Sequence, residues 1–385
     1  MHLLGQSMAR HGHEVTVWTT DFLDGREPIR PVEQQLDGMR VVYHPGWFHA
    51  RQARTYQVVS PAWLSSVFRG AGRFDVAHVV ESRSLQTPLY GLGLARHREL
   101  AVVHSAFGTL GEKPLDWKYN AYDEGFLKPF LRRRVGRLLA QTDHEVESYV
   151  RFLGEEVRPK TAIVPLGVDA AAARAAADLH RGALRQRLGI GPEVPLVIYL
   201  GRLAPKKGVE RLVRCFARAT AGTDARLAVV GYDQGSQASI QVEIDREGLG
   251  ERATILESEH GNARFGYYAD ADLYAITSTY FEETSLASLE ALAVGTPCLV
   301  TPEVELPYLE QAGAGRMPAS SEDAITDALA ELLADRDRLR AMREKAHALV
   351  DARYHIDAVS NTLLDQYQLA IDASRAATLR GSRTS

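Results

Sequence analysis

The run Pro195-Leu-Val-Ile-Tyr-Leu-Gly-Arg-Leu-Ala-Pro-Lys-Lys-Gly208 decides the fold. Its apolar stretch Leu196–Leu200, bounded by turn residues, reads as a strand buried on both faces. Gly201, Pro205 and Gly208 then punctuate a short turn. Beyond it Val209, Leu212, Val213 and Phe216 recur at helical spacing, which predicts an amphipathic helix from Gly208 to Ala219. A buried strand that turns straight into a helix is half of a crossover unit, and crossovers imply a parallel sheet covered by helices. A helix start offers unpaired N–H groups and about half a positive charge, so it suits an anion. Arg202 contributes a planar cation to this turn and Lys207 a point charge.

The same rhythm extends both ways. After this unit come strand runs at Arg226–Gly231, Ala253–Leu256, Leu273–Ile276 and Pro297–Thr301, with helices at Ser285–Val294, Glu322–Leu333, Leu339–Val350 and Asp357–Ile371. Before it come strand runs at Glu14–Thr19, Met39–Tyr43, Phe74–Val80 and Leu100–His104, with helical stretches at Thr87–Ala95 and Phe126–Ala140. Strands alternating with helices twice over predict an α/β protein of two doubly wound Rossmann-like domains facing a cleft. The expected boundaries are 1–175, 176–355, a C-terminal helix 356–375 packing back toward the first domain, and a disordered tail 376–385. The chain opens on a helix, Leu3 to Arg10, followed by a strand. A parallel layer places a strand and loop before such a helix, so the first domain reads as lacking its opening strand and glycine-rich loop.

Composition supports a folded protein. The 385 residues are 45% hydrophobic and 24% charged, in the range of globular domains and outside that of disordered or fibrous chains. A formal charge of −4 disfavours a nucleic-acid partner. Two cysteines, Cys215 and Cys298, both in apolar segments, argue against a disulfide framework and suit a reducing cytoplasm. No uncharged apolar run reaches the ~18 residues of a membrane span.

A second candidate site is Phe281-Glu-Glu-Thr-Ser-Leu-Ala-Ser-Leu-Glu-Ala291. Thr284, Ser285 and Leu286 lie where a helix starts, so their N–H groups suit a phosphate, while Glu290, two turns in, is placed to accept from vicinal hydroxyls such as a ribose diol. Glu282 sits in the preceding loop. Together these segments resemble the GT-B retaining glycosyltransferases of family 4, also called group 1. Gly201-Arg202-Leu203, Lys207-Gly208, the Glu282 to Glu290 spacing and Leu289-Glu-Ala-Leu-Ala-Val-Gly-Thr-Pro297 match that family's signature. Val230-Gly-Tyr-Asp-Gln-Gly235 and Val164-Pro-Leu-Gly-Val-Asp169 look like further family segments. The resemblance implies that Gly201, Arg202, Lys207, Thr284, Ser285 and Leu286 hold the donor diphosphate, Glu290 the ribose and Glu282 the transferred sugar. It implies a UDP-sugar donor, with GDP or ADP as alternatives, no metal, and a glycan, lipid-linked or small-molecule acceptor.

The first half departs from the family pattern. Phe107 stands where a histidine is usual, leaving His104 as a substitute catalytic histidine or a core residue. Trp47, Glu81, Arg83 and Tyr119 are acceptor-side candidates. Asp270-Ala-Asp272 resembles a metal-binding Asp-x-Asp, but it precedes a strand, and a helix-to-strand corner is the better reading. Arg132, Arg133, Arg134 and Arg137 form either a solvated face or a peripheral contact with an anionic membrane surface. The rival functions are a sugar-nucleotide epimerase, a non-catalytic paralogue and a nicotinamide oxidoreductase. The last is poorly supported, because Gly91-Leu-Gly93 and Gly313-Ala-Gly315 do not follow strands.

Overall fold

A computed structural model describes residues 1–21, 32–46, 60–83, 87–110, 117–259 and 261–381. The chain divides into two compact units, Met1–Pro165 with Val359–Ser385, and Leu166–Ala358. The first boundary falls ahead of the expected 175 for a local reason. Asp169 accepts the N–H of Ala172 and so starts a helix whose Ala170, Ala173 and Ala177 are buried in the second unit's core.

In the first unit, α1 (His2–Arg10), β1 (Thr16–Thr20), β2 (Glu33–Leu36), β3 (Met39–His44), α2 (Pro61–Gly70), β4 (Val76–Val80) and α3 (Thr87–Leu94) come in order. They are followed by β5 (Ala101–Ser105), α4 (Trp117–Tyr122), α5 (Lys128–Arg133), β6 (Arg137–Ala140), α6 (Asp143–Leu153) and β7 (Thr161–Ile163). β4, β5, β6 and β7 form one parallel sheet. β3 pairs in parallel with β1 and antiparallel with β2 in another. Among the described residues β1 and β4 therefore each keep one unpaired edge. β5 is buried along its whole length, whereas β1 is partly exposed throughout, with Val17 at 36%.

Phe126–Ala140 is not the single helix that its pattern suggests. A π-helical turn over Asp123–Leu127 leads into α5, which ends at Arg133, and Arg137–Ala140 forms β6. Branched Val135 and Gly136 end the helix, and Leu138 and Leu139 fill a central strand position. The arginines there are tied to the protein itself. Arg132 donates to Leu153 O, Arg134 to Leu94 O, His97 O and Leu100 O, and Arg137 to Gln366 and Pro159 O. These bonds tie loops of the first unit together.

The second unit runs α7 (Ala170–His180), α8 (Ala183–Leu188), β8 (Leu196–Leu200), α9 (Val209–Ala219), β9 (Arg226–Val230), α10 (Gln237–Arg246) and β10 (Ala253–Leu256). α11 (Ala263–Asp270), β11 (Leu273–Ile276), α12 (Leu286–Ala293), β12 (Cys298–Val300), β13 (Gly315–Arg316), α13 (Glu322–Ala334) and α14 (Arg336–Arg353) complete it. Its six strands form one parallel sheet in the order β10-β9-β8-β11-β12-β13. β8, the unit's first strand, lies at the centre, and the order reverses direction between β8 and β11. The core is a single cluster that includes Leu196–Tyr199, Leu212, Phe216, Leu273–Ile276 and Leu289.

The last helix, α15 (Ile356–Gly381), belongs to the first unit from Val359 onward. Tyr367 Oη meets His78 Nδ1 at 2.8 Å, and Ser374 Oγ donates to Glu99 O. Helix continues through Gly381, so residues 376–381 are ordered rather than a loose tail: Ala376, Ala377 and Leu379 are good helix formers. Among the described residues no helix is long and apolar enough to cross a membrane.

Candidate functional site

The loops that leave β8 and β11 are bonded to each other. Gly208, at φ +65°, ends the turn after β8, and a Cβ there would lie 1.9 Å from Thr277 O. Only glycine permits both that backbone conformation and that approach. Thr277 Oγ1 donates back to Gly208 O at 2.7 Å, and Thr279 N donates to Lys206 O at 3.0 Å. Arg211, in the first turn of α9, donates to Thr277 O and Ser278 O at 2.7 Å each and to Ser320 O at 2.8 Å. Sequence reading passed over Arg211. The signal was a cation at the positive end of a helix, where the dipole disfavours it.

This stitching brings Lys207 against Glu282. Lys207 Nζ pairs with Glu282 Oε2, and Ser278 Oγ donates to Oε1 at 2.9 Å. The two charged side chains are 12% and 11% exposed, so the pair is mostly out of water. Burial lowers the ammonium's pKa first, Glu282 pulls it back up, and Arg202 and Lys206 push it down again through their charge. Arg202 itself is exposed, with Nη1 3.3 Å from Gln234 Oε1.

α12 begins beside this pair in the chain. Ser285 caps it by accepting the N–H of Ser288, Thr284 and Ser285 are buried, and Leu286 is 44% exposed. Glu290 lies about one turn on, 8% exposed, with its carboxylate held by Arg264. The expected residues of the second unit are thus grouped on the exits of two neighbouring central strands and the helices that follow them. Two cations, two carboxylates and the start of α12 can there serve an anionic, hydroxyl-bearing ligand.

His104 is the exception, and the structure corrects its candidacy as a catalytic group. It is fully buried on β5, with Nδ1 2.8 Å from Tyr149 Oη and Nε2 within reach of Glu81 O and Ser82 Oγ. Burial pushes its pKa down to about 4. It is a neutral core histidine: in a strand with both faces covered, its side chain has no route to a reacting atom. Phe107 takes φ +48° and Glu81 φ +76° at the ends of β5 and β4. Such conformations in non-glycine residues mark loops shaped by something other than local preference. Arg83 forms a buried ion pair with Asp123 at 3.0 Å and donates to Thr109 O. Glu145, 1% exposed, accepts the N–H groups of Gly108 and Gln141 at 2.7 Å each. Tyr119 is 38% exposed on α4, and Trp47 lies outside the described residues. Asp270 accepts the N–H groups of Gly182 and Leu184, and Asp272 accepts from Leu196 N and Arg185, so the Asp-x-Asp is spent on a helix-to-strand corner.

Two Rossmann-like α/β units, the second with a charged site at its topological switch point, define the class. The group 1 glycosyl transferase model matches residues 180–349, and the glycosyl transferase 4-like domain matches residues 1–167. A D-inositol 3-phosphate glycosyltransferase of Nocardia farcinica is 35% identical over 61% of this chain and 53% of its own length, so the chain spans about half of that relative. One from Rhodococcus opacus is 26% identical over 94% of this chain and 83% of its own. Anabaena HepE, solved with UDP and glucose, superposes with a TM-score of 0.70 at 17% identity, covering 95% of both chains. The chain belongs to the GT-B glycosyltransferases of family 4.

Proposed function

We propose that the protein transfers a sugar from a nucleotide-diphosphate donor to an acceptor hydroxyl, with retention at the anomeric carbon and without a divalent metal. The observation that carries this reading is the buried Lys207–Glu282 pair at the switch point of the second unit. A UDP-sugar is the first donor to consider, because HepE is solved with UDP and glucose, and GDP- and ADP-sugars are the alternatives.

In this reading the diphosphate meets Lys207, Arg202 and the first turn of α12 around Thr284, Ser285 and Leu286, while Gly201 lets the β8 exit approach it. These groups are in place before negative charge grows on the leaving group, so they need little reorganisation when the sugar departs. Glu282, already accepting from Ser278, takes hydroxyls of the transferred sugar, and Glu290 takes the ribose diol. The acceptor oxygen bonds to the anomeric carbon on the face that the diphosphate leaves. Its proton passes to a diphosphate oxygen as the old C–O bond breaks.

The relatives named for D-inositol 3-phosphate make that compound the first acceptor to assay, ahead of glycans and lipid-linked acceptors. Lys207→Ala is expected to lower the transfer rate by roughly 10²-fold or more, as loss of one preorganised donor does elsewhere. Chromatographic product analysis with UDP-glucose reads it. Turnover equal to the parent protein's would remove Lys207 from the donor site and this mechanism with it.

A further inference from the structure

Glu290 is not the free carboxylate that a diol-binding role suggests. Arg264 Nε donates to its Oε2 at 3.1 Å and Nη2 to its Oε1 at 2.7 Å, a two-point fork that fixes the plane of the carboxylate. Tyr268 Oη stands 3.4 Å from the same Oε2. Arg264 and Tyr268 are four residues apart on α11, so they share the face turned to α12. Arg264 is itself held on other sides. Its Nη1 donates to Gly261 O, and its guanidinium lies 4.3 Å from the centre of the Phe265 ring. A guanidinium with three separate anchors is built to stay where it is.

We propose that Arg264 is a positioning residue for nucleotide recognition: it presents Glu290 in one fixed orientation, so that the remaining lone pair of the carboxylate accepts from the ribose diol. This rests on the reading of Glu290 as the ribose acceptor given above. A carboxylate has about four lone-pair positions: the fork uses one on each oxygen, and Tyr268 Oη donates to the second on Oε2. The position left open, on Oε1, is aimed in one direction and accepts from the ribose diol. Without Arg264 the carboxylate is held only by Tyr268 Oη, and the open position on Oε1 is no longer fixed toward the ribose. Arg264 thus sets selectivity for ribonucleotides over 2′-deoxyribonucleotides without touching the ligand.

Calorimetric titration with UDP and with 2′-deoxy-UDP tests this in the full-length protein, using the parent, Arg264→Met and Arg264→Lys. The parent is expected to prefer UDP by about tenfold or more, the cost of leaving a charged acceptor's site unfilled. In Arg264→Met that preference is expected to shrink to within about twofold, mainly because UDP binding weakens while 2′-deoxy-UDP binding changes little. Arg264→Lys restores the charge but not the fork, so it recovers only part of the preference. Thermal unfolding of each variant without ligand shows that it is folded, and a merely structural loss would weaken both nucleotides alike. A variant that keeps the parent's ribose preference overturns the role of Arg264 alone. A parent protein that binds neither nucleotide, nor the guanosine and adenosine pairs, overturns the donor site and this inference together.

Discussion

The two units solve the same architectural problem by different means. In the second, one continuous parallel sheet runs through the core, and its central strands β8 and β11 are almost wholly buried. Loops leaving those strands inherit a rigid base, and main-chain bonds such as Thr279 N to Lys206 O hold them together. In the first unit the described strands fall into two sheets rather than one. Its strand ends are held by buried polar side chains instead: the Arg83–Asp123 pair, Glu145 on two N–H groups, and the histidines His78 and His104 with their hydroxyl partners. The second unit's exits combine main-chain bonds with a clamp by Arg211, which stays charged, whereas the first unit's depend on the protonation state of its histidines.

The chain carries its own probes for this contrast. Its four tryptophans, at 18, 47, 63 and 117, all lie in the first unit, and its two cysteines, Cys215 and Cys298, are buried in the second. Tryptophan fluorescence therefore follows one unit and thiol reactivity the other. The largest expected effect is that of Gly208→Val. A branched side chain at φ +65° facing Thr277 O at 1.9 Å from its Cβ forces the β8 and β11 exits apart. About 4 kcal/mol of the second unit's stability should go. Both thiols should become reactive at lower urea, while the tryptophan transition stays near the parent's. Coincident movement of both signals would show that the units unfold as one and that the contrast has no energetic meaning.

Acid should act on the other unit. Burial pushes His78 down to about 3 and His104 down to about 4, and it lowers His44 as well. All three lie in the first unit. Unfolded histidines titrate near 6.5, so below that pH the unfolded chain takes up protons that the folded one refuses. Stability is therefore retained above about pH 6.5 and lost as pH falls toward the folded values. From pH 7 to 5.5 the pair His78 and His104 should cost the first unit about 2–3 kcal/mol. Urea unfolding read by tryptophan fluorescence at the two pH values checks this, with thiol reactivity expected to shift far less. Carboxylates held below their usual range act only at lower pH, so this window excludes them.

The contrast also explains what was legible. The second unit's strands and helices follow from hydrophobic period and turn residues, and its site residues follow from strand–turn–helix context. All of that is local in sequence. The clamps were not legible, because Arg211 to Thr277 O and Arg264 to Glu290 are made across tens of residues by side chains whose type is common on any helix surface. In the first unit, the run ending at Ala140 misled because Leu138 and Leu139 satisfy a helical stripe as well as a buried strand. Only the neighbours β5 and β7 decide between them. His104 was ambiguous for a related reason: a strand's alternation says that a residue is on a face, and the fold says whether that face is covered.

The smallest predicted effect tests whether the first unit's polar core is as interdependent as its geometry suggests. Tyr149 is fully buried, and its hydroxyl is the 2.8 Å partner of His104 Nδ1. In Tyr149→Phe the ring still packs, so the change isolates the hydroxyl. A neutral imidazole donates from one nitrogen and accepts at the other, and losing the partner at Nδ1 leaves a buried polar group unsatisfied. That should cost about 1–2 kcal/mol, read as an earlier tryptophan transition at pH 7. The thiol transition should not move. If removing the hydroxyl is instead neutral, His104 has found another partner, and the strand ends of the first unit are held by packing rather than by a chain of mutually required hydrogen bonds.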